Sequence, residues 1–253
     1  MNKLFQTLFV LFAISSQSHA TPVKQFKSID ESKLLPFTQS NLQHSYAKNL
    51  QGLYSIKSFQ ALDINQPFND FELLYQRAIS GQSELENITE LIAFATGTQA
   101  LSSGVKSEAR AMNKINSKLG GHSEQITDLA RTSIVSSDVS ALVNVFESLE
   151  QQTEILRIKN RFKTPGASGY RDLSLLVRLP ETQIVAEVQL HLEAFSIIKN
   201  GAEHENYEQI QHIERKKISE NRALNDIERA TIAKLRKESM QMYQGAWHEY
   251  LSA

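Results

Sequence analysis

Four cations occupy every second position of one short segment, RIKNRFK, which runs from Arg157 to Lys163. Alternate side chains of a β-strand point to opposite faces of its sheet, so a strand here would place Arg157, Lys159, Arg161 and Lys163 on one face. The other face would carry Leu156, Ile158 and Phe162. The segment therefore predicts a sheet with one basic face, although an ordinary solvated sheet face fits the alternation equally well.

The overall charge makes this basic face a local feature. The chain has 27 Lys and Arg residues against 28 Asp and Glu residues, for a formal net charge of -1. No field of the whole protein would attract nucleic acid, and no DNA partner is expected. Hydrophobic residues make up 41% of the 253 residues, as in chains that bury a core. Without cysteine, the sequence excludes disulfides, thiolate nucleophiles and Cys-ligated zinc.

The first twenty residues resemble a secretory signal. Lys3 precedes an apolar run from Leu4 to Ile14, and SHA ends at Ala20 in a small-x-small cleavage pattern. The run is shorter than the roughly 20 residues that a membrane-spanning helix needs. We expect a Sec-exported protein, periplasmic or secreted, with no stable membrane insertion after cleavage. The alternative is a retained segment and a cytoplasmic protein.

The remaining pattern predicts an α/β (α+β) chain with one mixed β-sheet of about five strands flanked by helices. A partly helical lead-in spans 21–68, a folded domain spans 69–220, and a C-terminal helix fills 221–253. The predicted strands are 126–135, 154–163, 171–179 and 184–192. Ser137 or Asp138 would cap a helix after the first strand, and Asn225 with Glu228 would cap the last helix.

Acidic residues accompany the basic strand in this pattern. Glu187 and Gln189 share one face of the last strand, and Asp128 lies near the start of the first. Mg²⁺ takes oxygen ligands and is usually completed by water and substrate phosphates, so such a mixture fits it. Phosphoryl-type transfer needs charge neutralisation, alignment and a base near the attacking hydroxyl. These residues predict that chemistry in kind.

Two blocks of the sequence resemble a known family. KNRFKTPGASGYRDL (159–173) and AEVQLH (186–191) resemble the signature blocks of the RelA/SpoT-type alarmone synthetase domain, with its Asn-Gly-Tyr-Arg-Ser-Leu-His and Glu-Val/Ile-Gln-Ile-Arg patterns. DLARTSIV (128–135), VKSEARAMNK (105–114) and AEHENYE (202–208) resemble other parts of that domain, in the family's order. The resemblance covers roughly 103–215 and implies a nucleotidyltransferase-like synthetase fold over the domain at 69–220, with helical N-terminal and C-terminal extensions.

The resemblance implies transfer of pyrophosphate from ATP to the 3′-hydroxyl of GTP or GDP, with Mg²⁺ as cofactor. Asp128 and Glu187 would hold the metal, and Glu187 would be the base. Tyr170 would stack on guanine, and Gly169 would let the backbone approach the substrate closely. The other substrate-binding candidates are Lys106, Lys114, Arg131, Lys159, Arg161, Lys163, Gln189 and His191. Stand-alone relatives make a homo-oligomer a further expectation.

The chain also departs from the family pattern. Gly104 and Ser133 stand where the family has arginines, although Arg131 lies two residues before Ser133. The remaining departures are Asn160-Arg161 for Asp-Tyr, Ser168 for Asn, Ser174 for His, and His191 for Arg. The departures bear on base binding, whereas both acidic positions are kept.

Other interpretations therefore stay open. One is a transferase of the same fold that acts on another acceptor, such as an adenine nucleotide or the 3′ end of tRNA. Another is an exported, non-catalytic protein that binds a nucleotide or a partner. Glu187 could instead pair with Arg161 or Arg178 on a wet sheet face, and Tyr170 could simply pack the turn.

Overall fold

The computed structural model describes residues 46–252. The signal-like segment and the lead-in as far as residue 45 lie outside the described residues. None of the helices within residues 46–252 combines the length and the apolar character that crossing a bilayer requires.

The described residues form seven helices and one six-stranded sheet. The helices are α1 (Leu50–Ser55), α2 (Phe71–Thr96), α3 (Glu108–Lys118), α4 (Val139–Gln152), α5 (Glu193–Asn200), α6 (Ala202–Ser219) and α7 (Asp226–Ser252). The strands are β1 (Phe59–Gln60), β2 (Gln99–Ser102), β3 (Arg131–Ser136), β4 (Glu154–Asn160), β5 (Leu173–Arg178) and β6 (Val185–Leu192). Their order across the sheet is β1-β4-β5-β6-β3-β2. β3 and β6 are parallel and the other neighbouring pairs are antiparallel, so the predicted mixed sheet is confirmed.

Local capping signals fix two of the helices as predicted. The Asp138 carboxylate accepts a hydrogen bond from the Ala141 N–H at 2.8 Å and begins α4. At the start of α7, the Asn225 side chain accepts from the Glu228 N–H at 2.8 Å, and the Glu228 carboxylate accepts from the Asn225 N–H at 3.0 Å. This reciprocal pair satisfies two backbone donors that a helix start leaves unpaired.

The sheet has six strands rather than about five because two short strands extend its edges. β1 has two residues and β2 has four, and both are largely exposed. Strands this short carry no readable alternation of polar and apolar residues. β4 ends at Asn160, three residues before the predicted end, and β3 begins at Arg131 rather than 126.

The core lies on one face of the sheet under α2 and α4. Ile158 and Phe162 belong to this core, as predicted. Leu156 does not, because the β4–β5 register shifts between Ile155 and Arg157 and Leu156 packs with Leu176 and Val185 in a separate small cluster.

The two ends of the described chain also contribute to the main core. It includes Leu53 and Ile56 from the α1 region and Tyr243 and Trp247 from α7. The domain boundaries at 69 and 221 stay predictions.

Candidate functional site

Side chains of four neighbouring strands form rows on the sheet face that lies opposite the core. We call this the polar sheet face, and it is defined by two complete rows of paired residues. The first row is Arg157, Leu176, Glu187 and Arg131, and the second is Lys159, Ser174, Gln189 and Ser133. Arg161, Asp172 and His191 continue the face beyond the second row, where the Arg161 N–H donates to the Asp172 carbonyl at 2.9 Å. The register thus places the predicted basic strand and the predicted acid on the same face, one strand apart.

The cations of β4 repel one another across this face. The charge of Arg157 is the largest cause that lowers the pKa of Lys159, followed by burial and the charge of Arg161. Burial lowers the pKa of Arg157, and Arg161 adds to that effect. The Arg157 Nε is buried and has no hydrogen-bond partner within residues 46–252. A bound anion would relieve both the repulsion and the unmet donor.

Lys163 does not extend the row as predicted. β4 ends at Asn160, and Lys163 lies in the following turn with its side chain exposed. Its backbone N–H donates to the Asn160 side chain at 3.2 Å, which stabilises that turn. Strand alternation therefore assigns Lys163 no place on the polar sheet face.

Gly169 lies close to a helix of the same chain. Its φ is +81°, a conformation that favours glycine, and an added Cβ would lie 3.2 Å from the Met240 Cα of α7. The close approach is thus between the loop before β5 and helix α7. The predicted approach to substrate stays untested.

Asp128 and two lysines form the ionic end of the site. The Lys106 Nζ is 2.7 Å from Asp128 Oδ2, and the Lys114 Nζ is 2.9 Å from Oδ1. Burial alone would raise the pKa of Asp128, but the hydrogen bond from Lys106 and the charges of both lysines hold it below its ordinary value. Both predicted lysines therefore bind this carboxylate.

The second acid, Glu187, makes a backbone hydrogen bond to a residue that closely follows Asp128 in the sequence. The Glu187 N–H donates to the carbonyl of Ala130, two residues after Asp128, at 3.0 Å. Arg161 Nη1 lies 2.5 Å from Asp172, and Arg178 Nε lies 3.1 Å from Glu154. The two arginines considered as partners for Glu187 thus bind other carboxylates.

The Asp128 carboxylate has a feature that suits a bound Mg²⁺. Asp128 Oδ1 is buried and makes no hydrogen bond of acceptable geometry within residues 46–252, although the Lys114 charge is near. In the same range, no three His, Asp or Glu side chains gather into a preformed metal cage. Mg²⁺ needs only one or two carboxylates beside water and phosphates. Asp128 and Glu187 therefore fit Mg²⁺ better than they fit an ion that takes all its ligands from the protein.

A lysine that the sequence reasoning missed reaches the centre of the face from α5. The Lys199 Nζ donates to Gln189 Oε1 at 2.9 Å, and the Gln189 amide donates to Glu187 Oε1 at 3.1 Å. Burial lowers the pKa of Lys199, while the charges of Asp172 and Glu187 oppose that shift. Lys199 is the only cation of α5, which follows β6 directly. That position was the available signal.

Tyr170 lies at the other end of the face in a buried hydrogen-bond network. Its hydroxyl is 2.9 Å from Asp172 Oδ2 and 2.7 Å from His191 Nε2. Asp172 and His191 are 0% and 1% exposed. We call Tyr170, Asp172, His191 and Arg161 the tyrosine network.

Burial sets the protonation of this network. Burial raises the pKa of Asp172, although Arg161 and Tyr170 donate to it and oppose the rise. Burial also lowers the pKa of His191 to about 3, with Lys199 and Arg161 adding to the shift, so the imidazole is neutral at neutral pH. The pKa of Tyr170 is raised, first by burial and then by Asp172.

A cavity of about 490 Å³ opens beside the tyrosine network. It is lined by Arg161, Gly166, Ser168, Tyr170, Gln189, Lys199, Asn200, Glu203, His204, Tyr207 and Tyr243. Tyr170 is therefore accessible from a cleft even though its hydroxyl is buried. The α7 residue Tyr243 was not predicted here; burial raises its pKa, and it donates to Glu203 at 3.1 Å.

A second cavity, of about 580 Å³, lies beside α1 and β1 and is lined by residues that include Tyr46, Lys57 and Phe59. It is larger, but its lining includes none of the predicted site residues. The cavity beside the tyrosine network, in contrast, is lined by predicted site residues that include Arg161, Tyr170 and Gln189.

Part of the chain matches a known protein family. The family described as "Region found in RelA / SpoT proteins" matches residues 103–227. The chain carries a RelA/SpoT-type domain. The resemblance found in the sequence is thereby confirmed, and this domain contains β3 to β6, α3 and the polar sheet face.

One solved structure with a TM-score above 0.5 supports the fold, and two others are similar at lower scores. The chain from the complex between the Type VI effector Tas1 and its immunity protein matches with a TM-score of 0.52 and 18% identity, over 69% of this chain and 94% of that chain. Small alarmone synthetase 2 from Bacillus subtilis matches at 0.49 and 22% identity, over 71% and 92%. Small alarmone synthetase 1 from Bacillus subtilis matches at 0.47 and 15% identity, over 72% and 98%. A search of curated protein sequences finds no match.

Proposed function

We propose that this RelA/SpoT-type protein transfers pyrophosphate from ATP to the 3′-hydroxyl of GTP or GDP, and so makes (p)ppGpp. The observation that carries the proposal is the polar sheet face itself. Arg157, Lys159 and Arg131 lie in adjacent rows around Glu187, and the β4 cations have lowered pKa values and an unmet donor. Such a surface suits a triphosphate next to a carboxylate base.

The reaction needs few covalent steps from the protein. The acceptor 3′-oxygen bonds to the β-phosphorus of ATP, the bond from that phosphorus to the α,β-bridging oxygen breaks, and AMP leaves with the electron pair. Glu187 takes the proton of the 3′-hydroxyl. Its carboxylate receives a hydrogen bond from Gln189, which Lys199 in turn binds, so its orientation is held from one side.

Asp128 and Glu187 would hold Mg²⁺, which neutralises phosphate charge when bound. Lys106 and Lys114 pair with Asp128 in this structure. With Mg²⁺ held by the carboxylate, both ammonium groups would be available to donate to phosphate oxygens. Tyr170 offers a ring face to the acceptor base, and stacking of a base on an aromatic ring contributes roughly 1–3 kcal/mol.

A second candidate is the same transfer to another acceptor, such as an adenine nucleotide or the 3′ end of tRNA. Two positions that depart from the family pattern, Arg161 and Ser168, line the cavity beside Tyr170. The departures are thus located where the acceptor base would bind, which favours testing acceptors beyond guanine.

The test uses the full-length chain, Mg²⁺ and ATP radiolabelled at its β-phosphate. GDP, GTP, ADP, ATP and tRNA are supplied separately, and products are resolved by anion-exchange chromatography. A β-label separates pyrophosphate transfer from single phosphoryl transfer, which would leave the label in ADP. We expect label in a guanosine product together with stoichiometric AMP. Labelled 3′-pyrophosphorylated ADP or ATP, or labelled tRNA, without a labelled guanosine product would support the second candidate, and no labelled product from any acceptor would refute both.

A further inference from the structure

The hydroxyl of Tyr170 has two buried partners, and the ion pair of Asp172 with Arg161 favours one way for the three groups to share protons. Asp172 accepts at both oxygens, since Oδ1 binds Arg161 at 2.5 Å and Oδ2 binds the Tyr170 hydroxyl at 2.9 Å. A carboxylate accepts at both oxygens without a proton of its own. The single phenol hydrogen is then used for Asp172, and His191 Nε2, at 2.7 Å, must carry the hydrogen that it donates to the phenol oxygen.

The ring of Tyr170 is also held by two neighbouring side chains. Tyr243 of α7 packs against it in a T-shaped arrangement, with ring centroids 5.6 Å apart and planes at 69°. The Arg161 guanidinium lies over the ring, 5.8 Å from its centre. The preceding residue, Gly169, is in contact with α7 through its backbone. A ring fixed at its hydroxyl, at an edge and at its backbone has little rotational freedom left.

Such a fixed ring is nonetheless accessible to a ligand. Tyr170 lines the cavity of about 490 Å³ together with Arg161, Lys199 and Tyr207. Binding to a ring that is already ordered avoids the entropy cost of ordering it, so rigidity increases affinity without adding a contact. The buried partners would therefore act on a ligand they never touch.

We propose that His191 and Asp172 are positioning residues that fix Tyr170 as a rigid platform for the base of the acceptor nucleotide. This inference rests on the proposed function, because it assigns the cavity to the acceptor of that reaction. The ligand class is a purine nucleoside di- or triphosphate. Arg161 serves the network twice, since it neutralises Asp172 and faces the cavity.

The experiment is a double-mutant cycle in the full-length chain. Tyr170→Phe keeps the ring and removes the hydroxyl, and His191→Leu removes the donor. His191→Gln is the conservative variant, because its amide N–H can replace the Nε2–H. The measurements are kcat and KM for acceptor and for ATP, the calorimetric Kd for GDP and for ADP, and the urea midpoint of each variant.

We expect Tyr170→Phe and His191→Leu each to raise acceptor KM and Kd roughly fivefold, the range that one lost buried hydrogen bond gives. ATP KM should stay within about twofold, since its binding region lies elsewhere on the face. The double variant should be no worse than either single variant, and His191→Gln should resemble the wild type.

Independent effects that multiply in the double variant, or an equal rise of ATP KM, would overturn the proposal. If His191→Leu does not fold, Tyr170→Phe and His191→Gln decide the matter: an unchanged acceptor Kd in the former, or a fully impaired one in the latter, overturns it.

Failure of the inference is distinguishable from failure of the proposed function. If the wild type transfers pyrophosphate and Tyr170→Phe leaves acceptor KM unchanged, only the inference is overturned. If the chain transfers nothing, yet binds GDP or ADP with the expected dependence on Tyr170 and His191, only the proposed function is overturned. If the wild type binds neither nucleotide, both are overturned.

Discussion

The two ends of the polar sheet face are stabilised in opposite ways. At the ionic end, Asp128 is surrounded by Lys106 and Lys114, and all three side chains keep partial exposure, at 15%, 11% and 29%. In the tyrosine network, Asp172 and His191 are almost fully buried and hydrogen-bonded. Ion pairs with solvent access exchange partners readily, whereas a buried network holds one geometry. The ionic end is therefore suited to exchange a lysine for a metal, and the tyrosine network is suited to hold a ring still.

Glu187 lies between the two ends, and its replacement should have the largest effect. Glu187→Gln removes the base while keeping the shape, so we expect kcat to fall on the order of 100- to 1000-fold, as for other general bases. Pyrophosphate transfer from β-labelled ATP measures it. Glu154→Gln is the matched control, because Glu154 lies on the same sheet and pairs with the partly exposed Arg178 at the surface. Equal activity of the two variants would remove Glu187 from the chemistry.

Asp128→Asn should separate the ionic end from the tyrosine network. The substitution removes one of two carboxylates available to Mg²⁺, so we expect the Mg²⁺ concentration for half-maximal rate to rise about tenfold, which corresponds to about 1.4 kcal/mol. Acceptor KM should change little. A Mg²⁺ titration at saturating ATP measures the first quantity. If acceptor KM rises and the Mg²⁺ requirement does not, the two ends have been assigned the wrong way round.

Gly169→Ala tests how firmly the loop of the tyrosine network is held. Alanine would adopt a left-handed φ and would also press against the α7 backbone, so we expect the free energy of unfolding to fall by about 2–3 kcal/mol. Gly97→Ala is the control, since Gly97 has a φ of +65° with nothing within 4 Å of an added Cβ. It should lose only about 1 kcal/mol in urea denaturation. Equal losses would mean that the contact with α7 adds no restraint.

Acidification should destabilise the folded chain through His191. The His191 pKa is about 3 in the folded chain against an ordinary value of 6.5, so the unfolded chain binds more protons between these pH values. Stability therefore falls as the pH drops from about 6.5 towards 3, by roughly 1–2 kcal/mol at pH 5. Urea midpoints measured from pH 7 to pH 5 should fall more steeply for the wild type than for His191→Gln. Parallel curves would exclude His191 as the titrating group.

Local signals in the sequence predicted more of this molecule than long-range ones did. Helix caps such as Asp138, and the pair of Asn225 with Glu228, depend on residues a few positions apart and were predicted correctly. The shift of Leu156 out of the main core depends on pairing with β5 and was missed. The short edge strands were not predicted, because strands of this length carry no pattern of their own.

The same distinction holds within the candidate site. Alternation along β4 correctly placed Arg157 and Lys159 on one face, and it failed at Lys163 because the strand ends first. Lys199 and Tyr243 come from helices, so only the folded chain brings them to the cavity. The roles of the predicted site residues stay predictions until they are tested.

The most direct test is a crystal structure of the full-length chain with Mg²⁺, a non-hydrolysable ATP analogue and GDP. We expect the triphosphate against Arg131, Arg157 and Lys159, the guanine base on Tyr170, and the 3′-oxygen within hydrogen-bond reach of Glu187. Nucleotides bound away from the polar sheet face, for example in the cavity beside Lys57 and Phe59, would contradict it.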